Sequence, residues 1–149
     1  MKGQKIKYPD CAILVFSKAP VVGHVNTRLV PYITAEQAAS LHEELTHDRL
    51  HMCTTADLCD VQLWCSPDTR HPFFFDCRQR YGVRLQTKTG NNLGERMLAA
   101  LQKMLGRYKK IIIIGTDAPA LDIDTIDAVV NQLEHSDIVL VPAEDGGYV

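Results

Sequence analysis

The sequence predicts an α/β fold in which a parallel sheet carries helices on both faces, and two observations support that. Short apolar runs of strand length alternate with longer segments whose apolar residues recur at helical spacing. The clearest runs, Cys11-Ala-Ile-Leu-Val-Phe16 and Ile111-Ile-Ile-Ile114, show no polar alternation, as expected of strands covered on both sides. Strands joined through helices make right-handed crossovers, and open sheets of this kind bind ligands beyond the carboxyl ends of their strands.

Each element has its own signal. Cys11–Phe16 is the first strand, followed by a long loop with Pro20, Gly23 and Pro31. Thr34 with Gln37 three residues on is a capping box and opens a helix. Ala38, Leu41, Leu45, Met52, Cys53 and Ala56 make the apolar stripe of that helix. Val61–Cys65 reads as the second strand, closed by Ser66-Pro67-Asp68. Phe73, Phe74 and Phe75 pack a short helix on the sheet, and Val83–Gln86 is a short third strand. Asn92 with Glu95 caps a helix with Leu93, Met97, Ala100, Leu101, Met104 and Leu105 as its stripe, ending at Gly106. Ile111–Ile114 follows as a strand, Ile123 to Leu133 as a helix, and Ile138–Val141 as the last strand.

The chain has 149 residues, 46% hydrophobic and 23% charged, with a formal net charge of −2. That length suits one domain over residues 1–149. The charge balance argues against a nucleic-acid partner, which a basic face would attract. Five cysteines without a Cys-x-x-Cys arrangement point to reduced, buried thiols and a cytoplasmic protein. The apolar stretch after Lys2, Lys5 and Lys7 is too short for a secretory core or a membrane span. The sequence stops at Tyr148-Val149, straight after Glu144-Asp145-Gly146-Gly147, and so reads as a domain truncated at its C-terminal side.

The strand ends carry the chemistry. Ser17-Lys18-Ala19-Pro20-Val21-Val22-Gly23-His24-Val25-Asn26-Thr27-Arg28-Leu29 follows the first strand. Lysine, arginine, glycine and free amides suit an anion such as a diphosphate, although a solvated loop explains them equally well. Neither a dinucleotide fingerprint nor a Walker loop is present. After the isoleucine strand, Gly115-Thr116-Asp117-Ala118-Pro119 places a carboxylate over the crevice. It suits Mg²⁺ or Mn²⁺ as a hard oxygen ligand, or serves the turn before Pro119. Asp145 stands beyond the last strand, beside Gly146 and Gly147, which allow close backbone approach to a ligand. Two acidic strand ends beside a cationic loop indicate metal-assisted chemistry on a phosphorylated ligand.

Other features are weaker. His42-Glu43-Glu44-Leu45-Thr46-His47 misses the zinc-protease pattern because Thr46 stands where the second histidine belongs. His47 and His51 lie one turn apart and read as residues of a wet helix face.

Four motifs in order, Phe16-Ser-Lys-Ala-Pro-Val-Val-Gly-x-Val-x-Thr-Arg-Leu29, Asn92-Leu-Gly-Glu-Arg-Met97, Gly115-Thr-Asp-x-Pro119 and Pro142-Ala-Glu-Asp-Gly-Gly-Tyr148, span nearly the whole chain. With them the sequence resembles a bacterial glycosyltransferase-like family, once called a domain of unknown function. The same family is labelled radical-SAM/selenodomain-associated transferase or arsenosugar-biosynthesis glycosyltransferase. The resemblance implies the Rossmann-like GT-A fold of nucleotide-diphospho-sugar transferases, a three-layer α/β/α sandwich with a mostly parallel sheet. More distantly, the chain is similar to guanylyltransferases acting on phospholactate or molybdopterin.

By that resemblance Lys18, Gly23, Thr27 and Arg28 would hold the nucleotide, with Lys18 and Arg28 on its phosphates. Glu95, Arg96, Gly146 and Gly147 would border the pocket, and Glu95 serves equally well as a helix cap. Asp117 and Asp145 would hold Mg²⁺ or Mn²⁺. Asn26 stands where the family pattern has lysine. The implied activity is metal-dependent transfer from a nucleotide sugar to a small acceptor, with no catalytic base assigned. The alternatives are a nucleotidyltransferase using a nucleoside triphosphate and a non-catalytic, truncated nucleotide-binding module.

Overall fold

Consecutive apolar residues in an extended chain point to opposite faces, so a run such as Cys11–Phe16 needs cover on both. In the structure, a computed structural model that describes residues 6–117 and 121–141, both covers are present. Strand β1 (Cys11–Lys18) leads through helix α1 (Ala35–Thr55) to β2 (Asp60–Ser66). Helix α2 (Pro72–Tyr81), β3 (Arg84–Thr87), α3 (Leu93–Met104), β4 (Lys110–Ile114) and α4 (Ile123–Gln132) follow. The four strands are parallel, in the order β3-β2-β1-β4.

The two faces of β1 bury different partners. Cys11, Ile13 and Val15 join Val61, Leu63, Cys65, Ile112 and Ile114 under α1, α2 and α4, represented by Leu50, Phe74 and Ile126. Ala12, Leu14 and Phe16 join Trp64 under α3, represented by Ala100 and Met104. This is the expected three-layer α/β/α arrangement. All four helices begin on a side-chain cap: Thr34, His71, Asn92 and Asp122 each accept a hydrogen bond from a first-turn amide. The predicted Thr34–Gln37 box forms in both directions, at 3.0 and 2.8 Å.

Three expectations change. The buried stripe of α1 is Ala38, Ala39, His42, Thr46, Arg49, Leu50 and Cys53, and the predicted Leu41, Leu45 and Met52 are half-buried. The inward face of α1 meets the carboxyl end of β1, where backbone carbonyls need donors, so it carries polar groups. Ile111 and Ile113 are half-buried, because the α3 face covers β4 less completely than β1. Residues 138–141 form no strand among the described residues, and Ile138 and Leu140 are 77% and 60% exposed. An apolar run becomes a strand only where a neighbour completes its ladder, and none of the described residues does so here.

No described helix is long and apolar enough to cross a membrane. All five cysteines are free and buried. Burial pushes Cys53, Cys65 and Cys77 up to about 12. Cys11 is also raised, first by its hydrogen bond with Cys59 and then by burial. Thiolate is the reactive form. A disulfide reagent at pH 8 should therefore leave the native thiols unmodified over minutes and titrate all five after unfolding in guanidinium. Rapid modification of one native thiol would contradict this packing.

Candidate functional site

From β1 the chain moves one way to β2 and β3, and later crosses to β4 on the other side of β1. The order therefore reverses between β1 and β4, the position at which open α/β sheets form ligand crevices. Lys18 ends β1, and Gly115-Thr116-Asp117 leaves β4 beside it. The loop between β1 and α1 turns at Gly23 (φ 85°) and Asn26 (φ 50°) into one 3-10 turn, Thr27–Leu29. Asn26 tolerates the left-handed backbone, and its Nδ2 donates to the Ala38 carbonyl at 3.2 Å. Asn26 thus ties the loop to α1. This turn brings Arg28 to Asp117 across the crevice, 3.7 Å between nitrogen and oxygen. Both side chains are largely exposed, 75% and 62%. A pair in that setting contributes at most about 1 kcal/mol and opens readily for a ligand.

A cleft of about 450 Å³ adjoins the crevice and is lined by Lys18, Ala19, Val21, His24, Ser66, Pro67 and Arg96. Arg96 stands in the first turn of α3, and its Nε donates to the Gly90 carbonyl at 3.1 Å. Lys18 and Arg96 thus meet in one cleft, while Arg28 and Asp117 meet at its side. Gly23 and Thr27 shape the loop and do not line this cleft. Glu95 takes the capping role: its carboxylate accepts from the Asn91 amide at 3.0 Å and from Asn92 Nδ2 at 3.2 Å. Asp145, Gly146 and Gly147 lie outside the described residues.

Among the described residues no group of three or more His, Cys, Asp or Glu gathers. Asp117 by itself matches the modest protein donor set that Mg²⁺ accepts when substrate phosphates complete its shell. His47 does not lie on a wet face. Its Nδ1 lies 2.7 Å from the Tyr81 hydroxyl, and its ring meets Phe73 edge-on, so it belongs to the packing of α1 on α2. His51 is exposed.

Two residues at the site escaped the sequence reading. His42 is buried beneath the end of β1, with Nε2 2.8 Å from the Lys18 carbonyl and 3.3 Å from Ser17 Oγ. Ser17 Oγ in turn lies 3.2 Å from Thr46 Oγ1. Burial holds His42 below its ordinary range, against the raising effect of the carbonyl. The neutral ring carries its proton on Nε2, since the facing carbonyl only accepts. Its signal was the 38-42-46-49-53 spacing, masked by polarity. Lys88 follows the last residue of β3, and its amide donates to the Cys65 carbonyl at 2.8 Å. Its signal was position, one residue past a strand end.

A family model described as an uncharacterized protein conserved in bacteria (DUF2064) matches residues 49–149. The chain belongs to this family. DUF2064 membership agrees with a structural likeness. A crystal structure of a protein from Desulfovibrio desulfuricans G20, provisionally assigned as a nucleotide-diphospho-sugar transferase, matches with a TM-score of 0.82 and 30% identity. The match covers 94% of this DUF2064 chain and 61% of that protein, so the chain spans less than two thirds of its relative. No curated protein matches the sequence. The fold of this DUF2064 protein is that of the nucleotide-diphospho-sugar transferases.

Proposed function

We propose that the chain binds the diphosphate of a nucleotide sugar at the β1–β4 crevice and serves sugar transfer to a small acceptor. The observation that carries this reading is the meeting of Lys18 and Arg96 in one cleft, beside an openable Arg28–Asp117 pair at the switch point. Family membership and the likeness to the Desulfovibrio protein support it.

Asp117 would hold Mg²⁺ or Mn²⁺, with Asp145 proposed as its second carboxylate. The bound cation would neutralise charge on the departing nucleoside diphosphate. Lys18 and Arg96 hold phosphate oxygens, and Arg28 leaves Asp117 to join them as the anion arrives. His42, by donating to the Lys18 carbonyl, fixes the strand end from which Lys18 extends.

Melting curves with UDP, GDP, UDP-glucose and GDP-mannose, with and without Mn²⁺, test the reading, because a ligand of the native state raises Tm. We expect a metal-dependent rise with a nucleoside diphosphate and loss of the metal dependence in Asp117→Ala. Unchanged metal dependence in that variant removes the metal assignment. A wild type that no nucleotide stabilises removes the proposed function.

A further inference from the structure

Register places a third cation in the row of strand ends that borders the cleft, beside the lining residues Lys18 and Ser66. Ser17, Cys65 and Thr87 lie abreast on β1, β2 and β3, and the Lys88 amide extends that ladder by its bond to the Cys65 carbonyl. The next row across the sheet is therefore Lys18, Ser66 and Lys88. Side chains alternate faces along a strand, so this row shares the α3 side with Phe16, Trp64 and Gln86. Two contacts agree: Lys88 Nζ sits 5.1 Å above the Phe16 ring, and Lys103 of α3 donates to Gln86. Neighbouring strands are about 4.8 Å apart, so Lys18 and Lys88 stem from points about 10 Å apart with Ser66 between them. A diphosphate can bridge such a gap between two long side chains.

We infer that Lys88, with Lys18 and Arg96, forms a three-cation seat for the diphosphate. The inference rests on the proposed function and adds a binding residue to it. Charge supports it. Among the described residues, the groups acting on Lys88 are Arg96 from α3, Lys18 from β1 and the Cys65 thiol from β2, with no carboxylate among them. Burial pushes Lys88 down to about 8, and the two cations push it the same way. A half-buried lysine pressed by two cations is a poor structural feature and a ready partner for an anion. The free protein carries Lys88 charged below pH 8 and loses that charge above it, so an anion that requires the charge binds more weakly as pH rises.

Isothermal titration with inorganic pyrophosphate, UDP and GDP in the presence of Mg²⁺, at pH 7 and pH 9, tests this in wild type, Lys88→Met and Lys88→Arg. Lys88→Met should bind all three at least about tenfold more weakly at pH 7, the worth of one charge-assisted hydrogen bond, and keep its melting temperature. Wild type should lose about tenfold between pH 7 and pH 9, as the protonated fraction falls to about a tenth. Lys88→Arg should bind well with little pH dependence, since arginine stays charged. Undiminished binding by Lys88→Met, while Arg96→Ala binds poorly, overturns the role of Lys88 and leaves the proposed function standing. A loss confined to UDP and GDP, absent with pyrophosphate, also overturns it by placing the contact away from the phosphates. Wild type binding none of the three removes the proposed function and this inference together.

Discussion

Phe74→Ala is expected to cost about 3–5 kcal/mol, the usual range for deleting a fully buried phenylalanine. In a domain of this size that lowers Tm by roughly 10–15 °C. Phe74 is fully buried and heads the largest enclosed side chains. It lies in the larger core cluster between the His71 and Phe73 rings, at centroid distances of 6.2 and 6.0 Å. The adjacent Phe75 faces the other way, 41% exposed beneath the Arg78 guanidinium. Phe75→Ala therefore removes only part of a side chain's burial and leaves no enclosed cavity, and should cost about 1–2 kcal/mol, well below Phe74→Ala. Denaturant melts of the two variants, with matching slopes, measure the contrast. Equal losses would mean that α2 does not present Phe74 inward.

That contrast marks where the sequence was legible and where it was not. Three phenylalanines in a row announce a core contact, yet only the helical rotation set by the His71 cap and Pro72 decides which of them enters it. Elements with a strong local signal appear with bounds close to expectation: β1 from its apolar run, and α3 from the Asn92 cap. In α1 the apolar pattern was misleading, because His42, Thr46 and Arg49 are buried by tertiary partners that the chain supplies from distant segments. His42 reaches Lys18, and Arg49 donates to the Leu121 carbonyl at 3.1 Å, 72 residues away. Ile138–Val141 had the composition of a strand without a described partner, and composition carries no information about pairing.

The candidate site divides in the same way. Lys18, Arg28 and Asp117 were legible because parallel sheets place strand ends together, a rule of topology that needs no side-chain detail. The pairing of Arg28 with Asp117 depends on the 3-10 turn after Asn26, which residue periodicity does not reveal. Lys88 escaped because a lysine after a short, half-exposed strand is ordinary until the register aligns it with Lys18 and Ser66.

Gly90→Ala should damage both fold and site, and it links the two. Gly90 has φ 131°, in the region that side-chain-bearing residues avoid. A Cβ there would meet the Glu95 Cβ at 2.8 Å and the Arg96 amide nitrogen at 2.9 Å, and the latter belongs to the helix backbone and cannot swing aside. Either the loop leaves α3 or the first turn of α3 shifts. Both outcomes disturb the Glu95 contacts to Asn91 and Asn92 and the bond from Arg96 Nε to the Gly90 carbonyl. The strain and the weakened cap together should cost about 2–4 kcal/mol, a Tm loss of roughly 5–15 °C. Because Arg96 loses its orienting carbonyl, diphosphate affinity should fall at a temperature where the variant is still fully folded. Gly106, just beyond α3, is the control: nothing lies within 4 Å of an added Cβ and its φ carries no left-handed strain. Gly106→Ala should leave both Tm and binding near wild type. If Gly90→Ala melts early but binds diphosphate normally once folded, Arg96 is positioned by α3 alone. If it melts with wild type, the close approach of this loop to α3 is wrong.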